Sequence, residues 1–289
     1  MGKKNLSKDS NLIIGLRSFL GKNLELFLRD REERVFDISY RPNKKKSFQD
    51  NLEGLIRNHK IASIFICGSK IDYSDSYKTI DEIVSSNILL PNYVCKAVKK
   101  YSSETKIFHF GSYWQFDERL NLNPPNFYAA SKTAAEETMK VFANDGLKIS
   151  TIRLYDIYGR GDRRGKIFNL IKSIKKTKKI IQLTHPDQLI NPLQVKDAVE
   201  GIFLARNQVR KKESNGELYE FSLNPQNYVT LKQLVSIFEE VDGFPYSNFI
   251  HYGKKTSYER PRMEINLPNP RSWSPSYTLN EGIADFLNS

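Results

Sequence analysis

Short apolar segments alternate with amphipathic helical segments through the first half of the chain, and this alternation limits the possible folds more than any other feature. Strands are predicted at residues 11–15, 34–39, 62–67, 106–110 and 148–154. Helices are predicted between them, at residues 19–28, 48–58, 77–100 and 128–144. Strands that alternate with helices indicate a doubly wound α/β fold, in which helices cover both faces of a parallel sheet.

The composition argues against several classes of protein. There is no apolar run of the roughly 18 residues that a membrane span needs, and no signal-peptide segment near Met1, so we expect a cytoplasmic protein. Cys67 and Cys95 lack the spacing of metal ligands, so no metal is expected. The net charge of +12 would attract polyanions. The densest basic run, 166–179, is nevertheless typical of a solvated helix face, and no nucleic-acid-binding motif accompanies it.

A glycine-containing loop follows the first predicted strand and precedes the first helix. It reads Gly15-Leu16-Arg17-Ser18-Phe19-Leu20-Gly21, which resembles the Gly-x-x-Gly-x-x-Gly dinucleotide loop with serine in the middle position. In such loops the glycines allow a tight turn and a close approach of the pyrophosphate to a helix N-terminus. We therefore expect a Rossmann-type domain and predict that the cofactor is bound by Gly15, Arg17, Ser18, Phe19, Leu20 and Gly21.

The end of the second predicted strand indicates which cofactor is used. The position that carries an acidic residue in NAD-binding proteins is reached near Ser39, and Tyr40 and Arg41 follow it. Asp37 is expected inside the strand. Arg17 and Arg41 could clamp a 2′-phosphate, so NADP is predicted in preference to NAD. The alternative is that both arginines are solvated surface charges.

Tyr128 and Lys132 are one helical turn apart in the fourth predicted helix, on the same face. A free tyrosine has a pKa of about 10, and a neighbouring cation favours its ionised form. The pair is therefore a candidate general acid/base unit.

Further motifs occur in the order and spacing of a known family. They are Asn87, Ser112, the segment Arg153-Leu-Tyr-Asp-Ile-Tyr-Gly-Arg-Gly-Asp162, Val195-Lys-Asp197 and Arg260-Pro261. With the loop and the Tyr128–Lys132 pair, they resemble the extended short-chain dehydrogenase/reductase family, in its NAD-dependent epimerase/dehydratase group that acts on nucleotide sugars. The resemblance runs from Gly15 to about Leu287. The chain departs from the family at Ser18, Arg160, Ile190 and Asp156, which bears on the substrate more than on the fold.

The resemblance implies a reduction. Within the family the chain is most similar to 4-ketoreductases of CDP-linked 3,6-dideoxyhexoses, because the gap from Ser112 to Tyr128 is short and the aromatic residues Tyr113 and Trp114 follow Ser112. The implied activity is NADPH-dependent reduction of a 4-keto group on a nucleotide-linked deoxyhexose, as in the biosynthesis of lipopolysaccharide and other surface polysaccharides.

The resemblance also implies roles for individual residues. Tyr128 would be the general acid, Lys132 would assist it and bind the nicotinamide ribose, and Ser112 would bind the substrate carbonyl. Arg153 and Arg260 would bind the substrate pyrophosphate, although Arg153 could instead be a buried structural arginine. Asn87 is expected to be structural.

Two other functions remain open at this point. An epimerase would use the same three residues with a tightly bound cofactor, and a non-catalytic NAD(P)-binding sensor or scaffold is possible for this fold. Dehydration is disfavoured, because the carboxylates that follow the serine in dehydratases are replaced by Tyr113 and Trp114. A homodimer through the helices at 77–100 and 128–144 is implied by the resemblance alone.

The remaining sequence is less regular and predicts a second, smaller lobe. Helices are expected at 166–179, 195–207, 231–241 and 279–287, and strands at 180–183 and 217–222. We assign 11–160, with returning elements at about 185–210, to a dinucleotide-binding Rossmann domain. Residues 161–184 and 211–289 are assigned to a smaller α/β lobe that would bind the substrate.

Overall fold

The structure is a computed structural model, and it describes residues 10–72, 74, 76–117, 119–210, 218–254 and 265–288. The strands are β1 (Ser10–Ile14), β2 (Arg34–Ile38), β3 (Ile61–Ile66), β4 (Lys106–Ser112), β5 (Ile149–Leu154), β6 (Asp156–Tyr158), β7 (Ile181–Leu183), β8 (Leu189–Ile190), β9 (Pro192–Gln194), β10 (Tyr219–Ser222), β11 (Val229–Thr230) and β12 (Ile250–Tyr252). The helices are α1 (Phe19–Asp30), α2 (Lys45–Asn58), α3 (Tyr77–Ile83), α4 (Leu90–Tyr101), α5 (Phe127–Asn144), α6 (Ile167–Thr177), α7 (Val195–Arg210), α8 (Leu231–Asp242) and α9 (Leu279–Leu287).

Six strands of the described chain form the main sheet, in the order β2-β1-β3-β4-β5-β10. Every neighbouring pair is parallel. The chain passes from β1 to β2 on one side and then returns to β3 on the other, so the strand order reverses between β1 and β3. Open parallel sheets bind ligands beyond the carboxyl ends of their strands at such a reversal. The topology therefore predicts a cleft beyond Ile14 and Ile66.

Helices pack on both faces of this sheet, which confirms the predicted doubly wound α/β fold. One face is covered by α1 and α7, whose apolar side chains join those of the sheet in a single buried cluster. The other face is covered by α2, α4 and α5, which form a second cluster. Leu24 and Leu28 of α1 are completely buried. Each such side chain stabilises the fold by about 1.5–3 kcal/mol.

A third apolar cluster lies apart from the sheet and unites α6, α8 and α9 with the short strands near them. Phe168, Phe238 and Phe286 pack against one another at its centre. This cluster corresponds to the smaller lobe that the sequence predicted. The assignment of all of 211–289 to the smaller lobe is corrected by β10, which lies in the main sheet beside β5.

No helix in the described ranges is both long and apolar enough to cross a membrane.

The helix predicted at 77–100 is interrupted. After α3, residues Val84–Leu89 form a π-helical segment, and α4 begins at Leu90. Pro91 lies in the first turn of α4, directly after the π-helical segment. Such wide turns are frequent at functional sites. Here the segment carries the buried side chain of Asn87.

Candidate active site

A cleft of about 540 Å³ opens where the topology predicts it, at the carboxyl ends of β1, β3, β4 and β5. It receives side chains from the loop before α1, the end of β3, the end of β4, the start of α5, the connection from β5 to β6 and the loop before α6. Ser112, Tyr128 and Lys132 all line this cleft, and so do Arg17, Ser18, Phe19 and Leu20 of the glycine loop. Residues that are far apart in sequence thus share one cavity.

Helix α5 presents Tyr128 and Lys132 to the cleft because its start is fixed. Asn126 caps the helix, and its side-chain oxygen accepts the N–H of Ala129 at 2.9 Å. Tyr128 therefore lies in the first turn and Lys132 in the next. The ammonium nitrogen of Lys132 is 5.9 Å from the centroid of the Tyr128 ring.

The Lys132 ammonium is held under the end of β4. Its Nζ donates a hydrogen bond to the carbonyl oxygen of Phe110 at 2.9 Å. The side chain is almost completely buried, and this burial lowers the pKa of Lys132 to about 8, although the nearby Glu136 acts in the opposite sense. A cation with a pKa this close to neutrality can exchange a proton during a reaction.

Ser112 is the last residue of β4 and caps the short 3₁₀ turn Tyr113–Gln115. Its Oγ accepts the N–H of Trp114 at 3.2 Å. A hydroxyl that accepts one hydrogen bond still has its own proton to donate. Ser112 can therefore donate to a substrate oxygen in the cleft.

The glycine loop has the close backbone contacts that its two outer glycines predict. Gly15 has φ +92°, and a Cβ there would lie 2.4 Å from the backbone nitrogen of Gly68. A Cβ on Gly21 would lie 2.5 Å from the carbonyl oxygen of Gly15. Ser18 adopts ordinary extended backbone and caps α1, since its Oγ accepts the N–H of Gly21 at 3.0 Å. Serine therefore fits the position of the middle glycine without strain.

These contacts test whether a dinucleotide fits. The first N–H groups of an α-helix have no intrahelical acceptor, so the start of α1 at Phe19 and Leu20 can receive a pyrophosphate. The absent side chains at Gly15 and Gly21 let the backbone turn tightly on either side of Arg17, Ser18, Phe19 and Leu20, which line the cleft. The residues present therefore fit the cofactor.

The predicted 2′-phosphate clamp is only partly assembled. Arg17 is exposed and lines the cleft, whereas Arg41 is exposed but is not among the lining residues. Asp37 lies within β2, paired in register with Ile13, as predicted. Ser39, Tyr40 and Arg41 follow the strand, so no acidic side chain comes directly after it, although Asp37 is its penultimate residue.

The structure does not bring Arg153 to the cleft. Its side chain is 2% exposed and lies between Glu136 and Glu220, with Nη2 at 2.8 Å from an oxygen of each. This is the buried structural role that the sequence left open, and it replaces the predicted substrate contact. Arg260 lies outside the described residues.

Asn87 joins the loop after β3 to helix α5. Its amide donates to Ser131 Oγ at 2.9 Å and to the carbonyl of Lys70 at 3.0 Å, and its oxygen accepts the N–H of Lys70 at 2.9 Å. It thereby ties the segment after β3 to α5, as a structural residue would.

Two cations in the cleft were missed by the sequence analysis. Arg164 is paired with Asp162 at 2.7 Å, and its guanidinium lies 4.6 Å from the centroid of the Phe19 ring. Lys166 precedes α6, and burial lowers its pKa. The sequence signal that could have identified them is the basic segment 163–166, which directly follows the family-like segment 153–162.

Asp156 brings a carboxylate into the cleft that the sequence analysis did not assign to the site. It accepts the Tyr113 hydroxyl at 2.9 Å and the N–H of Asn191 at 3.2 Å. Burial raises the pKa of Asp156, while Lys166 opposes this effect. Within the described residues, no group of three or more His, Cys, Asp and Glu side chains could hold a metal ion.

The chain is similar to several known proteins. CDP-abequose synthase from Yersinia pseudotuberculosis is 22% identical over 170 residues, which are 58% of this chain and 59% of the relative. The alignment thus spans only about three fifths of that protein. UDP-glucose 4-epimerase from Thermotoga maritima, solved with UDP-glucose, has a TM-score of 0.79 at 17% identity, covering 96% of this chain and 97% of the other.

A second solved structure is similar over its whole length. dTDP-glucose 4,6-dehydratase from Bacillus anthracis, solved with NAD, has a TM-score of 0.78 at 18% identity, covering 97% of this chain and 96% of the other. Both solved structures share the fold. Residues 11–220 match the NAD dependent epimerase/dehydratase family. The chain therefore belongs to this family of NAD-dependent enzymes.

Proposed function

We propose that this enzyme reduces the 4-keto group of a nucleotide-linked deoxyhexose with NADPH, for surface polysaccharide synthesis. The observation that carries the proposal is that Ser112, Tyr128 and Lys132 line one cleft with the glycine loop. The weak similarity to CDP-abequose synthase supports a reductase. It also makes a CDP-linked sugar the first substrate to try.

Ser112, Tyr128 and Lys132 have different roles in the reduction of the ketone. Ser112 donates a hydrogen bond to the carbonyl oxygen and stabilises the negative charge that develops there. Tyr128 donates its phenolic proton to that oxygen as the general acid. Lys132 lies beside the Tyr128 ring, where its positive charge favours loss of the phenolic proton. The cofactor supplies the hydride when bound.

The basic residues before α6 are proposed to bind the substrate diphosphate. Arg164 and Lys166 both line the cleft, and the N-terminus of α6 begins beside them. Cations and a helix N-terminus both attract phosphate. Arg260 remains a predicted contact from the sequence.

NADPH is proposed in preference to NADH. The support is Arg17 in the cleft and the lack of an acidic side chain after β2. The solved dehydratase carries NAD, so the preference is a property to be measured on this chain. The dissociation constants of NADPH and NADH by fluorescence quenching decide it. An Arg17→Met variant that loses the preference would identify the clamp.

Epimerisation is the second candidate, because one of the similar structures is a 4-epimerase. Purified enzyme should be mixed with NADPH and 4-keto-6-deoxyhexoses linked to CDP, dTDP, UDP or GDP. Stoichiometric loss of NADPH absorbance is expected for one of them. No loss with any of them, together with inversion of a UDP-hexose, would indicate an epimerase instead.

A Tyr128→Phe variant tests the chemistry at the site. Reduction should fall by about two to four orders of magnitude, because general acid catalysis contributes that much. Tyr77→Phe is the matched control, since Tyr77 is 91% exposed on α3. Full activity of Tyr128→Phe would refute the assignment. Cofactor binding without any turnover in the wild type would favour a sensor.

Assembly and location belong to the same proposal. We expect a cytoplasmic homodimer that pairs through the segments 77–100 and 128–144, which contain α3, α4 and α5. Sedimentation equilibrium at several concentrations checks the dimer, and a monomer at all of them would contradict it.

A further inference from the structure

Gln115 is a polar side chain in the short 3₁₀ turn after β4, and it is not among the residues that line the cleft. It is completely buried and comes three residues after Ser112. The proposed mechanism does not use it. A buried amide is costly unless its oxygen and its nitrogen are both hydrogen-bonded. Its partners therefore indicate what it does.

The Gln115 amide links Ser112 to helix α5. Its Oε1 accepts the backbone N–H of Ser112 at 2.8 Å. Its Nε2 donates to Glu136 Oε2 at 3.0 Å and to Thr133 Oγ1 at 3.2 Å. Glu136 and Thr133 belong to α5, the helix that also carries Tyr128 and Lys132. One side chain thus connects the strand end that presents Ser112 to the helix that presents the other two groups.

The α5 end of this connection is itself anchored. Glu136 accepts two hydrogen bonds from Arg153, one from Nη1 at 2.9 Å and one from Nη2 at 2.8 Å. This bidentate arrangement is among the strongest that a carboxylate forms. The space is completely filled. A Cβ on Gly111 would lie 2.8 Å from the side-chain tips of Arg153, Gln115 and Glu136 alike. The end of β4 has little room to move against this cluster.

We propose that Gln115 is a positioning residue that fixes the Ser112 backbone relative to Tyr128 and Lys132. The role in catalysis rests on the proposed function, whereas the hold on Ser112 does not. The requirement for an amide follows from the bonds. An ionised glutamate could accept the Ser112 N–H but has no proton for Glu136, and methionine could do neither.

The first experiment measures the hold on Ser112 without any substrate. Amide hydrogen exchange is followed in protein labelled with ¹⁵N-serine, with the Ser112 signal assigned by its loss in Ser112→Ala. Gln115→Met should speed exchange at Ser112 by about tenfold or more, the equivalent of one lost hydrogen bond. Thr105→Val is the control, because Thr105 is buried at the other end of β4 and donates to the carbonyl of Ile61. It should leave exchange at Ser112 unchanged. Exchange in Gln115→Met within twofold of the wild type overturns the inference.

The second experiment exchanges the two partners. Gln115→Glu places two carboxylates together, and Glu136→Gln removes the carboxylate that the amide needs. Each should lower kcat by about tenfold or more, with little change in KM or in NADPH binding, because the misplaced Ser112 acts on the carbonyl oxygen as its negative charge develops. The double variant restores a donor and an acceptor between the positions but leaves Arg153 one acceptor at position 136 instead of two, so it should recover part of the kcat that each single variant loses.

The outcomes separate the two proposals. A double variant that is no better than the single variants overturns the positioning role. If the wild type reduces none of the four keto sugar nucleotides, the proposed function fails. The exchange of the Ser112 amide then decides by itself whether Gln115 holds this residue. If Gln115→Met does not fold, the same exchange measurement is made on the double variant instead. The Ser112 amide should then be protected from exchange as in the wild type, and loss of this protection would count against the inference.

Discussion

Gly15 is the position at which one added methyl group tests the close approach of β1 and β3. Its Cβ would lie 2.4 Å from the nitrogen and 2.6 Å from the Cα of Gly68. Both are backbone atoms just past the carboxyl end of β3, so no side chain can rotate away. The backbone at Gly15 also has φ +92°, where residues with a Cβ are strained.

The cost of Gly15→Ala has two parts. The positive φ costs about 1–2 kcal/mol for a residue with a Cβ. Overlap with the backbone of Gly68 adds about 1–3 kcal/mol, as expected when extra atoms enter a packed region. The free energy of unfolding should therefore fall by about 2–5 kcal/mol. Two other glycines separate the two contributions.

Gly146 has φ +93°, but a Cβ there would meet nothing within 4 Å, so Gly146→Ala should show only the first part. Gly54 lies inside α2 with the same open space, so Gly54→Ala should stabilise the protein by about 0.5–1 kcal/mol. Urea denaturation followed by fluorescence gives all three values. NADPH binding should weaken only in Gly15→Ala. If Gly15→Ala costs no more than Gly146→Ala, the argument from strand contact is refuted.

Three further predictions concern single side chains. Burial lowers the pKa of Lys132 to about 8 from 10.5, so the unfolded chain holds this proton more tightly than the folded protein does. In urea titrations, the free energy of unfolding of the wild type should therefore rise relative to that of Lys132→Met by about 2 kcal/mol between about pH 7 and pH 9.5. A difference between the two proteins that does not change with pH would contradict this. Arg153→Met should lower the free energy of unfolding by about 3–5 kcal/mol, because Glu136 loses its ion-pair partner, and it should leave the NADPH dissociation constant unchanged. Weaker NADPH binding with unchanged stability would mean that Arg153 does reach the cleft. Ser18→Ala should cost about 1 kcal/mol by removing the cap of α1, and an unchanged denaturation midpoint would exclude the cap.

Signals that are local in the sequence predicted most of the fold and the centre of the site. The alternation of apolar runs predicted the parallel sheet, because strand and helix periodicities need only neighbouring residues. The glycine loop and the Tyr128–Lys132 pair are also local, since each lies on one turn or one helix. Ser112 required the motif order as well, because it reaches the cleft from a different strand.

Other features depend on partners that are distant along the chain. Arg153 fits a phosphate site or an internal ion pair equally well by residue type. Its role follows from Glu136, 17 residues away, and Glu220, 67 residues away, whose positions arise only when β5, α5 and β10 pack together. The same holds for Arg164 and Lys166. Their place in the cleft follows from how the smaller lobe meets the sheet.

By itself, then, the sequence determined the alternation of strands and helices in the first half of the chain, the turn at Gly15, and which phenol and amine lie one helical turn apart. Only the tertiary structure decided the strand order, the return of β10 to the main sheet, the burial of Arg153 and the link from Gln115 to Ser112. The physical reason is range. Propensity and periodicity act within one or two turns of chain, whereas burial and ion pairing depend on every segment that folding brings alongside.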